Sequence, residues 1–172
     1  MWNDAHIGSN EAIYDEEYHS SVTMAPKARE YQAQLAAEVD RLVKLQGKSV
    51  LEIGCGDGYF LSCLNRLGTK SVGFEPSATY KIANQHVGIE VVNDFFPLET
   101  APQMDFPAQM IIMRHVLEHL HDPVQVLTTL KNGMFRGEHP GWLLLEVPNS
   151  QHLINTDLYF DFYNDHIHYF SE

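Results

Sequence analysis

Residues 50 to 58 read Val50-Leu51-Glu52-Ile53-Gly54-Cys55-Gly56-Asp57-Gly58, and they leave little freedom to the rest of the chain. A short apolar run holds an acid near its end, three glycines follow at alternate positions, and an amphipathic stretch begins. That order predicts a buried strand, a tight turn and a helix N-terminus in quick succession. Glycine lacks a Cβ, so the backbone can bend sharply there and a ligand can lie directly against it. The helix start sets unpaired N–H groups beside the same turn. Together these features predict a nucleotide-type cofactor turn.

The flanking sequence repeats the same alternation. Pro26 takes an early helix position, and Leu35, Val39, Leu42, Val43 and Leu45 form an apolar stripe, which predicts a helix from Ala25 to Leu45. Lys48 to Ile53 is the first predicted strand and Gly58 to Leu67 the first crossover helix. Ser71 to Phe74 is a second strand, ending at Glu75-Pro76. Ser77 is the expected cap of a helix reaching about His86. Ile89 to Val92 is a third strand, followed by Asn93-Asp94-Phe95-Phe96. Pro97, Pro102 and Pro107 mark a connection. Gln109 to Met113 is a fourth strand, almost wholly apolar, as expected where both faces are covered. A helix to about Phe135, broken near Asp122-Pro123, leads to a fifth strand from Gly141 to Val147 and a polar, aromatic tail. The predicted architecture is an α/β domain over residues 26–172, with a doubly wound, mostly parallel Rossmann-like sheet of about five strands. An irregular arm over residues 1–25 precedes it. Ligands on such sheets bind beyond the carboxyl ends of the strands. The glycine turn, Glu75, Asp94 and Arg114-His115 all follow strands and are expected along that one edge.

Composition bears on partners. The 172 residues hold 11 Lys plus Arg against 23 Asp plus Glu, a net charge of −12. Such a chain repels phosphate backbones and shows no local basic patch, so no nucleic-acid partner is expected. No apolar run approaches the roughly eighteen residues of a membrane span, and the polar N-terminus has no signal-peptide core. No membrane partner is expected, and the expected compartment is the cytoplasm. Cys55 and Cys63 form neither a paired framework nor a Cys-x-x-Cys motif, so neither a disulfide nor a metal site is expected. The final residues, Tyr169-Phe170-Ser171-Glu172, read like the middle of a segment, which leaves a longer protein open.

A dinucleotide turn reads Gly-x-Gly-x-x-Gly. From Gly54 the spacing here is Gly-x-Gly-x-Gly, with Tyr59 where the third dinucleotide glycine belongs, which disfavours NAD and a nicotinamide dehydrogenase. Glu75 suits the ribose hydroxyls of either kind of cofactor. The run Glu52-Ile53-Gly54-Cys55-Gly56-Asp57-Gly58 resembles motif I of the class I S-adenosylmethionine-dependent methyltransferases. The resemblance implies that Glu52, Gly54, Cys55, Gly56 and Gly58 form the turn against the methionine part of S-adenosylmethionine. It places Glu75, with Pro76 beside it, at the ribose, and Asp94 and Phe95 at the adenine. Arg114-His115-Val116-Leu117-Glu118-His119-Leu120 is similar to the family's segment after the fourth strand, which implies that Arg114 and His115 line the methyl end of the pocket. The similarity runs from about Val50 to Asn149.

Each position also has a plainer reading. Glu75 could be a solvated loop acid, and Asn93-Asp94 is common turn chemistry. Tyr14 and Tyr18 could fold over the cofactor or pack on the sheet. His115-Val116-Leu117-Glu118-His119 matches the His-x-x-Glu-His pattern of one zinc-protease class, which needs a continuous helix and a further ligand. Following a buried strand, Glu118 and His119 are expected instead at a helix start, stabilising the loop.

The tail, Tyr163-Asn164-Asp165-His166-Ile167-His168-Tyr169-Phe170-Ser171, crowds ionisable groups and aromatics after the fifth strand. Methyl transfer to carbon or oxygen needs a base beside the acceptor, and histidine titrates closest to neutral pH. Asp165 would orient such a histidine. The segment resembles the Tyr-x-Glu-His-x-x-Tyr-Phe-Ser stretch of sugar C-methyltransferases, with Tyr163 and His166 matching and Asp165 in place of glutamate. That resemblance implies proton removal beside a ketone and attack of the enolate on the methyl group. His166 with Asp165 is the candidate base and His115 the second choice. Those enzymes carry a cysteine-rich zinc module before this domain and another domain after it, and this sequence contains neither. A purely structural tail is equally open. The expected function is methyl transfer from S-adenosylmethionine to a small-molecule acceptor, a sugar or sugar-derived metabolite. The alternative is a non-catalytic or truncated cofactor-binding module, whose open sheet edge would invite self-association, a homodimer being the simplest form.

Overall fold

The computed structural model describes residues 25–86, 88–97, 107–133, 141–158, 162–163 and 165–171. The expected N-terminal arm, with Tyr14 and Tyr18, lies outside the described residues apart from Ala25. Five strands form one parallel sheet: β1 (Ser49–Ile53), β2 (Lys70–Phe74), β3 (Ile89–Val92), β4 (Met110–Arg114) and β5 (Trp142–Glu146). Their spatial order is β3-β2-β1-β4-β5, so the chain steps outward from β1 twice and then returns to β1's other side. The switch between β1 and β4 opens the crevice where ligands settle on such sheets. The doubly wound expectation holds.

Alternation along the strands divides the core in two. Val50, Met110 and Ile112 pack with Ala36 and Val39 of α1 (Pro26–Val43) and with Phe60, Leu61 and Leu64 of α2 (Tyr59–Arg66). Leu51, Ile53, Phe74, Ile111 and Met113 pack on the opposite face, against Val126 and Leu130 of α4 (Pro123–Gly133). Each fully buried aliphatic side chain contributes roughly 1.5–3 kcal/mol. The register sets Ile53 opposite both Phe74 and Met113, and Arg114 opposite Glu146. The carboxyl ends of the central strands therefore stand level, and the loops that follow them meet.

Helix details differ from expectation where local chemistry competes with periodicity. The buried stripe of α1 is Gln32, Ala36 and Val39, while Leu42 is 60% exposed. The helix stops at Val43 because Lys44 turns left-handed (φ 58°) and donates its N–H to the Asp40 carbonyl; Leu45 is buried from the following loop. Ser77 does not cap a long helix. Its hydroxyl meets that of Thr79 at 2.6 Å, and α3 is one turn, Tyr80–Ala83. After β4 comes a 3₁₀ turn, Leu117–His119, and α4 starts afresh at Pro123, where Asp122 Oδ1 accepts the Gln125 N–H at 2.8 Å. The tail holds a short helix, α5 (Ser150–Asn155), that periodicity did not reveal. Asn149 caps it by accepting the N–H groups of Gln151 and His152.

The sheet is unevenly covered. β1 is buried along almost its whole length, whereas Trp142, Leu143 and Leu145 of the edge strand β5 are exposed. Among the described residues no helix is long and apolar enough to cross a membrane.

Candidate functional site

The glycine turn is built almost wholly from backbone. Gly54 lies at φ 72°, and a Cβ there would sit 2.5 Å from Cγ2 of Val116. Gly58 lies at φ 71°, and its Cβ would come within 2.7 Å of Ile89 Cδ1 and 2.9 Å of Ala83 Cβ. Both positions exclude side chains on conformation and on space. The Phe74 carbonyl accepts the N–H groups of Gly54 (2.8 Å) and Cys55 (3.1 Å). Among the described residues a side chain added at Gly56 would meet nothing within 4 Å, so they leave open space against the turn there for a ligand to approach.

Glu75, buried at the end of β2, locks this turn to the next loop. Its Oε2 accepts the Gly56 N–H and its Oε1 the Ser77 N–H, each at 2.8 Å. Asn93 Nδ2 donates to the carbonyls of Glu75 (2.9 Å) and Pro76 (3.1 Å), drawing the loop after β3 to the same place. Asp94 and Phe95 follow, both exposed, with Asp94 Oδ1 accepting the Phe95 N–H. Gly54, Gly56, Gly58, Glu75, Pro76, Asp94 and Phe95 are thus gathered along one edge. Cys55 turns its thiol inward over Gly73, and burial pushes the thiol far above its ordinary range; its part in the turn is backbone.

An ion network joins the carboxyl ends of β1, β4 and β5. Arg114 Nε donates to Glu146 Oε2 at 2.6 Å, its Nη1 stands 3.7 Å from Glu52 Oε1, and its guanidinium carbon lies 4.3 Å from the Phe60 ring centre. Tyr31, on α1, donates its hydroxyl to Glu146 Oε1 at 2.8 Å. Burial pushes Glu146 upward, yet His115, Arg114 and Tyr31 outweigh it and hold the carboxyl at about 2. Glu52 is 1% exposed, and there burial wins over Arg114, pushing its carboxyl up to about 8. Glu52 and Arg114, both expected at the cofactor, are held in this network.

His115 heads the other half. It is left-handed (φ 54°) directly after β4, a conformation costing about 1–2 kcal/mol for a side-chain-bearing residue. The bend leaves its ring 54% exposed, with Nδ1 3.6 Å from Glu118 Oε1 and Nε2 3.6 Å from Glu146 Oε1. Those two carboxylates, Glu118 first, raise its pKa to about 9. Glu118 itself is buried, and neither carboxylate oxygen has a hydrogen-bond partner among the described residues. Its backbone carbonyl accepts the N–H groups of Ile167 (2.8 Å) and His168 (3.0 Å), which brings the tail onto the turn after β4. His166 is buried there, its ring 4.8 Å edge-on from His119, 5.2 Å from Tyr163 and 5.9 Å from Tyr169. Burial, and then His119, push the His166 pKa down. Asp165, expected to orient His166, reaches His119: its carbonyl lies 3.0 Å and its carboxylate 3.5 Å from Nδ1.

The expected catalytic residues Tyr163, Asp165, His166 and His115 therefore converge after β4. Gly54 abuts Val116, so this cluster adjoins the glycine turn. Sequence reasoning had Glu118 and His119 as loop supports and did not single out Asn93 or Tyr31. The Glu-His pair carried a signal in its spacing, and Asn93 in its place after a strand; Tyr31 carried none.

The methyltransferase domain family matches residues 28–172 of this chain. The tRNA U34 carboxymethyltransferase of Campylobacter hominis is 32% identical over 98 residues, which cover 54% of this chain and 34% of that protein. Its namesake from Aliarcobacter butzleri is 27% identical over 154 residues, covering 74% and 49%. The chain spans about a third to a half of the length of these curated relatives. Among solved structures, a SAM-dependent methyltransferase from Archaeoglobus fulgidus superposes with a TM-score of 0.61 at 22% identity, over 81% of this chain and 63% of that one. Magnesium protoporphyrin IX methyltransferase from Synechocystis, with bound SAH, gives 0.57 at 17% identity, over 84% and 67%. These two share the fold. The relatives named for tRNA overturn the expectation that nucleic acid is excluded. A net charge averages over a whole chain and says nothing of a local or neighbouring basic surface.

Proposed function

We propose an acceptor site for a chain that belongs to the methyltransferase domain family and is an S-adenosylmethionine-dependent methyltransferase: the nucleophile is held against His115, Tyr163 and His166. The carrying observation is that the segment after β4 and the tail bring these side chains together beside the glycine turn.

The fit for the cofactor rests on open space at Gly56 and on a Glu75 carboxylate fixed beside it. Gly54, Gly56 and Gly58 would hold the methionine part, Glu75 and Pro76 the ribose, and Asp94 and Phe95 the adenine. When bound, the cofactor supplies an electrophilic methyl group on a sulfonium. The protein's share is alignment of the acceptor and exclusion of water. Exposed His115 and Tyr163 form the rim that meets the acceptor, and His166, buried behind them, takes its proton. Arg114, Glu146 and Tyr31 hold the floor of this half in place.

Two acceptor classes have support. The Tyr163-to-Ser171 segment and its likeness to sugar C-methyltransferases favour a small sugar-derived molecule. The names of the curated relatives favour a uridine of tRNA. Transfer of a radiolabelled methyl group from S-adenosylmethionine separates them, using a panel of keto-sugar nucleotides and a tRNA transcript as acceptors. Label in one class assigns it. His166→Gln should then slow transfer at least a hundredfold. Label in neither, with S-adenosylhomocysteine still bound, is the result for a cofactor-binding module without activity or for transfer of a carboxymethyl group, which S-adenosylmethionine does not supply.

A further inference from the structure

We propose that Glu118, His119 and His166 form a site for one divalent first-row transition-metal ion. A ligand atom from each lies within 4.8 Å of the other two, and all three side chains are buried. Two imidazoles and one carboxylate suit zinc, ferrous or manganous ions. They suit calcium and magnesium poorly, since those ions favour all-oxygen shells.

Glu118 supplies an independent pointer. It is 1% exposed, and neither of its carboxylate oxygens has a hydrogen-bond partner among the described residues. Nδ1 of His115, at 3.6 Å, is beyond ordinary hydrogen-bond length. The His115 ring compensates the Glu118 charge only in part, since it is half-exposed and makes no hydrogen bond to it, and a divalent cation in direct contact relieves the remaining penalty.

The ring of His119 points the same way. Its Nδ1 lies 3.0 Å from the Asp165 carbonyl oxygen and 3.5 Å from the Asp165 carboxylate. An imidazole held through Nδ1 coordinates through Nε2, and an oxygen partner behind the ring is the usual companion of a metal-bound histidine. Metal–ligand bonds of ~2.1 Å set tetrahedral ligand atoms ~3.4 Å apart, so side-chain rotations of about an ångström close the cluster on an ion.

The donor set differs from the zinc-protease pattern, in which His115 and His119 would both ligate and Glu118 would act as a base. Here the carboxylate is a ligand, and the second histidine comes from the tail. The ion therefore clamps the tail to the turn after β4, across the same junction that the Glu118 carbonyl makes with Ile167 and His168. It also occupies the lone pair of His166, so metal loading and proton acceptance by that ring exclude one another. The site stands whichever acceptor class is correct.

Cobalt(II) titration of the full chain, stripped beforehand with EDTA, tests the proposal without cofactor or acceptor. The expected result is saturation at one ion per chain in the micromolar range, with visible absorption bands. Two exchangeable hyperfine-shifted imidazole N–H resonances should appear, and the Tm should rise with free cobalt. Glu118→Gln and His166→Gln should each weaken cobalt binding at least tenfold. No saturation at millimolar cobalt, an affinity equal to wild type in both variants, or absence of shifted imidazole resonances would overturn the site. The resonances are read on the wild-type chain, so they decide the matter even if a variant does not fold.

Discussion

At the β1–β2 end of the sheet's carboxyl edge, polar groups close on one another through the backbone. Glu75 accepts from Gly56 and Ser77, the Phe74 carbonyl accepts from Gly54 and Cys55, and Asn93 ties in the next loop. At the β4–β5 end, side chains carry the site. His115 is held left-handed, Arg114 sits between two glutamates, and Glu118 is buried with its oxygens unmatched among the described residues. A backbone device made of glycines and one acid has few workable sequences, which suits a ligand that does not change. A side-chain device can be retuned one residue at a time, which suits a variable ligand. On the proposed reading, cofactor binding lives at the first end and acceptor choice at the second.

The largest expected effect comes from breaking the first end. Gly54→Ala combines a left-handed backbone with a Cβ 2.5 Å from Val116, so urea denaturation should register a loss of about 2–5 kcal/mol. A loss under about 1 kcal/mol would mean that the turn yields easily and the contrast fails. Glu75→Gln removes the charge from two backbone hydrogen bonds and should destabilise by about 2 kcal/mol in the same assay.

Two pH effects of opposite sign sharpen the contrast within the ion network. Glu146 has its folded pKa lowered to about 2, so its contribution is present above the unfolded value of 4.5 and fades as pH falls through about 2. Wild type should exceed Glu146→Gln by about 2 kcal/mol near neutrality, and thermal denaturation should show the gap closing below about pH 4.5. Glu52 has its folded pKa raised to about 8, so its contribution is complete below 4.5 and is lost as pH rises through 8. Glu52→Gln should therefore gain on wild type as pH rises from about 4.5 to about 8 and hold that gain above it; a gap constant across this window would show that folding leaves the Glu52 pKa unshifted. The smallest effect belongs to neither end: exposed Leu42→Glu should change stability by less than about 0.5 kcal/mol.

Much of the first end was legible in the sequence because its constraints are local. The spacing of Gly54, Gly56 and Gly58 after an apolar run dictates a strand, a turn and a helix, and the same logic located all five strands to within a residue or so. The second end depends on contacts between segments far apart in the chain. Nothing near Glu118 announces that its carbonyl will receive Ile167 and His168, and nothing near Tyr31 announces Glu146. Leu42 was misplaced because a helical stripe reports periodicity and not where the partner surface ends. Helix α5 is six residues long, too short for periodicity to resolve, and only its Asn149 cap could have marked it. The exclusion of nucleic acid failed for a different reason: it drew on whole-chain charge and on the lack of a basic run in the sequence, and neither reports a basic surface assembled from distant or neighbouring segments.

Calorimetric titration with S-adenosylhomocysteine of wild type, Glu75→Ala and His166→Gln tests most directly whether the two ends are separate. Wild type should bind in the micromolar range, Glu75→Ala should lose at least tenfold, and His166→Gln should stay within about twofold of wild type. Equal losses in both variants, or no binding to the intact chain, would contradict a cofactor site built on the glycine turn and Glu75 alone.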